Sequence, residues 1–134
     1  MPIRWRDGIA SVTGAYDRES DGQNWWHWVK RKVIFKMQPL FVSKDANQVK
    51  LRFEYETIGN QTLTVGIIKR EATSEIVMLQ SQGLAPGIFE KFIDLPPAEF
   101  KLSIETDGIA SPLGNNDPRM AAWMVRNVAI SPVS

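Results

Sequence analysis

Residues 48–56 alternate without a break: Val49, Leu51, Phe53 and Tyr55 are apolar, while Lys50, Arg52, Glu54 and Glu56 are charged. A period of two puts one set on each face of an extended strand, so one face is buried and the other wet, as in an antiparallel sheet. Gly59-Asn60 then supplies a turn, and residues 62–68 alternate again, with Leu63, Val65 and Ile67 opposite Thr62, Thr64 and Gly66. The two runs predict a hairpin.

The same logic extends along the chain. Residues 25–37 are rich in aromatic and β-branched side chains, and their length predicts a long strand with a bulge or bend. Shorter strands are predicted over 9–16, with Gly14 as a bend, and over 75–79, 88–93 and 100–105. A last strand is predicted over 120–130, with Pro132 stopping it. No long window keeps apolar residues at helical spacing, and only 97–99 offers a single helical turn. About eight strands at this spacing predict an all-β fold, an antiparallel two-sheet β-sandwich of jelly-roll type, with an eight-stranded β-barrel as the alternative. The expected core is Trp25, Phe35, Val49, Leu51, Phe53, Tyr55, Leu63, Val65, Phe92, Phe100 and Leu102.

A chain of 134 residues with no repeat, low-complexity stretch or linker is expected to form one domain over 1–134. A formal charge of +1 gives no general reason to expect nucleic acid or an anionic membrane as partner. The run Lys30-Arg31-Lys32 does not change this, because a strand splits it between two faces. The absence of cysteine removes disulfides, thiolate nucleophiles and zinc knuckles. The charged residues 1–7 lack a signal-peptide core, and no apolar run is long enough to span a bilayer. We expect a soluble cytoplasmic protein, or a piece of a longer chain, with no membrane insertion. In that setting the Asn60-Gln61-Thr62 sequon is coincidental.

Trp25-Trp26-His27-Trp28 holds three of the five tryptophans and the only histidine. On one extended strand Trp25 and His27 share a face with Val29, Arg31, Val33, Phe35 and Met37, whereas Trp26 and Trp28 lie on the other with Lys30, Lys32, Ile34 and Lys36. Trp25 therefore points to the core and the Trp26–Trp28 pair to a partly exposed face. Indole faces stack on the apolar C–H faces of sugar rings, while nearby carboxylates, amides and guanidinium groups bond to hydroxyls. The competing reading packs these indoles under a loop, against Trp5 or in a dimer contact.

Asp17, Glu19 and Asp21 alternate before Gly22, like the start of an oxygen-ligand loop for a structural calcium ion. The helix–loop–helix calcium pattern fails, since Trp28 stands eleven residues after Asp17 where a glutamate is required. A polar turn whose carboxylates accept backbone N–H bonds fits as well. Residues 107–119 predict a long loop carrying carboxylate, amide and guanidinium groups, Arg119 among them.

Catalysis has no comparable signal. His27 has no nucleophile marked by a motif, one histidine cannot build a multi-histidine metal site, and Glu54 and Glu56 sit in a charge ladder with Lys50 and Arg52. We therefore expect no enzyme.

Residues 14–28, Gly-Ala-Tyr-Asp-Arg-Glu-Ser-Asp-Gly-Gln-Asn-Trp-Trp-His-Trp, resemble the opening of β-sandwich accessory domains of bacterial polysaccharide- and glycosyltransferase-related proteins. In those an aromatic follows the glycine, then come a glutamate, an Asp-Gly or Asn-Gly turn and a tryptophan-rich strand. Residues 119–130, an arginine before an apolar run that holds Asn127, are similar to their closing strand. Ala15 departs from the pattern, where a large aromatic is usual. The resemblance implies a jelly-roll domain acting with glycan-assembly enzymes and touching glycan, with Glu19, Asp21, Gly22, Trp26, Trp28 and Arg119 at stake.

Residues and resemblance together predict a non-catalytic, lectin-like carbohydrate-binding module. Trp26, Trp28, His27, Glu19, Asp21 and Arg119 are its candidate ligand-binding residues, and Asp17, Glu19 and Asp21 its candidate metal ligands. The alternative is a structural or oligomerisation β-sandwich, a homodimer in its simplest form, of a polysaccharide-related protein.

Overall fold

The computed structural model describes residues 9–38, 48–69, 72–81, 86–94, 100–114 and 116–133. The helical turn expected at 97–99 and the packing role of Trp5 lie outside them. Among the described residues every regular element is a strand: β1 Ile9–Ala15, β2 Glu19–Ser20, β3 Trp25–Met37, β4 Gln48–Thr57, β5 Gln61–Lys69, β6 Ala72–Ser81, β7 Gly87–Asp94, β8 Phe100–Thr106, β9 Ser111–Gly114, β10 Asp117–Ala121 and β11 Trp123–Val133. The fold is an antiparallel jelly-roll sandwich.

Strand β3 organises it. Residues 32–37 pair with β8, and residues 26–29 pair with β11. One sheet therefore runs β6-β5-β8-β3 and the other β3-β11-β4-β7, so the hydrogen-bonded ladder is continuous through β3. The crossing falls at Lys30-Arg31-Lys32, all three exposed. Alternation had placed Arg31 inward and split this basic run between faces. At the corner position 31 is exposed, and its guanidinium meets Glu105 at 3.1 Å. Strand β1 borders the same region of β3, with a register irregularity at Gly14. Gly14 has φ +89°, and a Cβ there would collide with the Lys32 carbonyl, so only glycine fits.

The alternating apolar residues close on each other from both sheets. Val33, Phe35, Met37, Leu63, Leu102 and Ile104 are fully buried on one side, and Val49, Leu51, Phe53, Trp123, Val125 and Val128 on the other. Each such side chain stabilises by about 1.5–3 kcal/mol relative to exposure. Phe53 stacks on Phe89 with ring centroids 4.9 Å apart. Trp25 is only partly buried but packs against this core.

Three further expectations about the fold need correction. Phe92 is 58% exposed, and Phe89 and Ile93 take the core positions instead. The pairing with β4 decides this, since buried Val49 and Phe53 stand opposite Ile93 and Phe89, leaving Phe92 opposite Lys50 on the outer face. Residues 107–119 are not one long loop, because β9 and β10 pair as a separate two-stranded sheet. Pro132 does not stop the last strand, where it stands opposite Val49 in register.

A bulge interrupts β11. The register with β4 slips between Arg126 and Ala129, and Asn127 has φ +51°. Before the slip Trp123 and Val125 face the core, and after it Val128 does, so the inward face passes from odd to even numbers.

Candidate functional site

The alternation that buries Val29 and Phe35 sends Trp26 and Trp28 to the outer face of the second sheet. The register places Trp26 beside Glu19 of β2 and Arg126 of β11, and Trp28 beside Met124. Both indoles are partly buried. With Met124 and Arg126 they floor a cavity of about 390 Å³. Its walls are Glu19, Asp21, Asn24, Asp117 and Arg119. Of the six sequence-predicted ligand residues, five line this one cavity.

His27 does not join them. It is 4% exposed and belongs to the inward face, edge-on to Trp25 at 5.7 Å and to Phe35 at 6.0 Å. Its Nδ1 lies 2.8 Å from the Tyr16 carbonyl oxygen. Position 27 has the parity of Val29, which a ligand on the outer face cannot reach, so His27 supports the wall from behind.

The acidic turn is self-contained. The Asp21 carboxylate accepts from the Gln23 and Asn24 N–H groups at 2.9 and 2.7 Å, and the Ser20 hydroxyl donates to the Asn24 carbonyl and accepts from the Gly22 N–H. The Asn24 and Gln23 N–H bonds hold the Asp21 carboxyl below the usual carboxylate range. Gly22 sits at φ +96°, the left-handed conformation that closes such a turn. Glu19 is engaged with Arg119, and Asp17 is exposed. Among the described residues no three His, Asp or Glu side chains converge as a metal site would need.

The β9–β10 hairpin brings the opposite wall. Arg119 donates from Nε and Nη2 to Asp117 at 3.0 and 2.7 Å, and from Nη1 and Nη2 to Glu19 at 3.2 and 3.4 Å. Its bonds to Asp117 and Glu19 push the Arg119 pKa above its ordinary value, and the same guanidinium holds the Asp117 carboxyl below its own. The Tyr16 hydroxyl ties the hairpin down, donating to the Met120 carbonyl at 3.0 Å and accepting from the Met120 N–H at 3.2 Å.

Asn127 fixes the other end. Its Oδ1 accepts from the Trp25 N–H at 3.0 Å, and its Nδ2 donates to Asn24 Oδ1 at 2.8 Å and Glu54 Oε2 at 3.2 Å. Burial pushes the Glu54 carboxyl up, but the bonds from Asn127 and Arg52 outweigh it and hold the group low. Arg126 donates to Glu56 at 3.1 Å, and its Nε is buried without an acceptor among the described residues.

Sequence reasoning did not select Tyr16, Asn24, Asp117, Met124, Arg126 or Asn127 for this site. Two signals were available. Asp117 and Arg119 at i and i+2 share one face of a strand, and outward Met124 and Arg126 follow from continuing the alternation of Trp123 and Val125. A second cavity of about 370 Å³, among Asn60, Gln61, Gln80, Ser81 and Asp107, has no aromatic wall.

Ionised Asp117 is favoured by folding. Its contribution to stability is therefore complete above an unfolded pKa near ~4 and is lost as pH falls through the lower folded value. Asp21 and Glu54 act in the same direction. The expected result is that the melting temperature falls as pH drops below about 4, and falls less steeply in Asp117→Asn. Equal falls in the two proteins would show that the Asp117–Arg119 pair adds nothing.

No protein-family model matches the sequence. No curated protein matches it. Solved structures do. A family 4 carbohydrate-binding module is similar over 96% of this chain and 81% of its own, with a TM-score of 0.53 and 10% identity. The family 22 xylan-binding domain of Paenibacillus barcinonensis Xyn10C is similar over 96% of this chain and 90% of its own, with a TM-score of 0.53 and 11% identity. The chain has the jelly-roll fold of these modules. At such identity the likeness is one of fold, and a binding site rests on this chain's own residues.

Proposed function

We propose that the protein is a non-catalytic carbohydrate-binding module, and that a glycan lies on Trp26 and Trp28 with its hydroxyls bonded by the charged wall. The observation that carries this is a single cavity with two indoles in its floor and hydrogen-bonding side chains around its rim. Flat apolar surface beside fixed polar groups suits a pyranose ring, which is apolar on its faces and polar at its edge. Glu19 and Asp117 are oriented by Arg119, and Asp21 by backbone N–H groups, so the acceptors are held before a ligand arrives. The fold shared with family 4 and family 22 modules supports the reading.

The test is electrophoresis of the native protein through gels containing neutral polysaccharides. Retardation of the wild type, and none of the Trp26→Ala/Trp28→Ala protein, is the expected result. Equal retardation of both would remove the tryptophans from the site.

A second reading, self-association through an edge strand, is favoured by Ile76 and Met78, which are 65% and 68% exposed on β6. Its mark is a solution mass of two chains that drops to one in Ile76→Lys/Met78→Lys.

A further inference from the structure

The cavity walls carry three carboxylates, those of Glu19, Asp21 and Asp117, against two guanidinium groups, those of Arg119 and Arg126. The balance is one negative charge, and Glu56 beside Arg126 adds another. Neither guanidinium offers an anion a fully open pair of parallel donors. Arg119 spends both of its forked edges on Asp117 and Glu19, and Arg126 bonds Glu56 while its Nε is shut off from solvent. By contrast, Asp21 uses one carboxylate oxygen on its own turn and has no cation bonded to it among the described residues.

From this geometry we infer that the site selects against acidic glycans: it takes uncharged sugar chains and rejects uronic-acid-bearing ones, and Asp117 and Glu19 are the residues that impose the choice. Recognition of a carboxylate by arginine uses paired parallel N–H donors; Arg119 has both pairs taken by Asp117 and Glu19, and Arg126 has one pair closed by the burial of Nε and shares the other with Glu56. A uronate entering the cavity either displaces Asp117 or Glu19, leaving that carboxylate without its partner, or binds without the arginine beside three like charges. Both raise its dissociation constant relative to the uncharged sugar. The same walls accept neutral hydroxyls readily, because Glu19 and Asp117 can accept a hydroxyl hydrogen bond while keeping their ion pairs with Arg119, and Asp21 has a carboxylate oxygen to spare.

The inference rests on the carbohydrate-binding reading, and its test separates the two. An array pairs each neutral chain with an acidic counterpart of the same linkage: xylohexaose with a glucuronic-acid-substituted xylo-oligosaccharide, and cellohexaose with its C6-carboxylate form. The dissociation constants are compared within each pair. The neutral member is expected to bind at least about tenfold more tightly, the scale of one charge-assisted hydrogen bond made or denied. In Glu19→Gln/Asp117→Asn the freed Arg119 is expected to shift that ratio toward the acidic member by about tenfold or more, with the shift shrinking at high salt. Asp117→Asn alone is expected to give part of the same shift, should the double variant not fold. Equal or tighter binding of the acidic members by the wild type would overturn the inference and leave the glycan site standing. An unchanged ratio in folded variants would show that Asp117 and Glu19 do not impose the choice. Binding of no glycan of either kind would overturn the inference together with the reading beneath it.

Discussion

Replacing Trp123 with alanine is expected to lower stability by about 3–5 kcal/mol. The indole is fully buried, and its Nε1–H donates to the Arg31 carbonyl at 3.3 Å, at the corner where β3 passes from one sheet to the other. Strand β11 begins there, with Trp123 opposite Val29 on one side and Thr57 on the other. Alanine therefore opens a cavity where three strands meet and removes a side-chain bond that spans the corner. Urea unfolding measures the loss. The same change at Trp26 or Trp28, both on the outer face, is expected to cost less than about 2 kcal/mol. Equal losses at positions 26 and 123 would mean that the outer indoles are structural.

Asn127→Ala is the second large effect, expected at about 2–4 kcal/mol from lost polar partners and left-handed strain together. The side chain makes three bonds to Trp25, Asn24 and Glu54, and the backbone sits at φ +51°. Alanine loses all three bonds and tolerates that conformation poorly, whereas asparagine is among the few non-glycine residues that visit it readily. Asn127→Gly separates the parts, since glycine relieves the backbone and restores no bond. Its loss is expected to be smaller than that of alanine by about 1 kcal/mol. Equal melting temperatures for the two variants would show that the conformation carries no strain. The change also acts on the site, because the Trp25 N–H and Asn24 side chain that it releases adjoin Trp26 and the cavity wall.

Alternation made most of the sandwich legible. It assigned β4 and β5 their buried faces, divided Trp25 and His27 from Trp26 and Trp28, and selected a core in which only Phe92 was misplaced among the eleven residues named. In β7 the apolar residues Ile88, Phe89, Phe92 and Ile93 do not alternate, so only the pairing with β4 selects the inward pair. Arg31 was misread for a related reason. Periodicity describes a strand facing one sheet, and β3 faces two.

The site divides in the same way. Of the wall residues close in sequence to the tryptophans, Glu19 and Asp21 were found and Asn24 was not. Asp117 and Arg126 reach the cavity through the tertiary arrangement of β9–β10 and β11: alternation says which face each shares, and not that this face meets Trp26 and Trp28. The acidic residues 17–21 have the spacing of an oxygen-ligand loop, and spacing alone does not say which partners each carboxylate meets. Arg119, about a hundred positions away in sequence, takes Glu19, and the turn's own N–H groups take Asp21.

The most direct test of the central claim is a tryptophan-fluorescence titration of the wild-type protein with neutral oligosaccharides, repeated with Trp26→Ala/Trp28→Ala. The account predicts a saturable change in the wild type that disappears in the double variant, while the variant keeps a cooperative melting transition. A response that persists in the folded double variant, or no response from the wild type to any glycan, would contradict it.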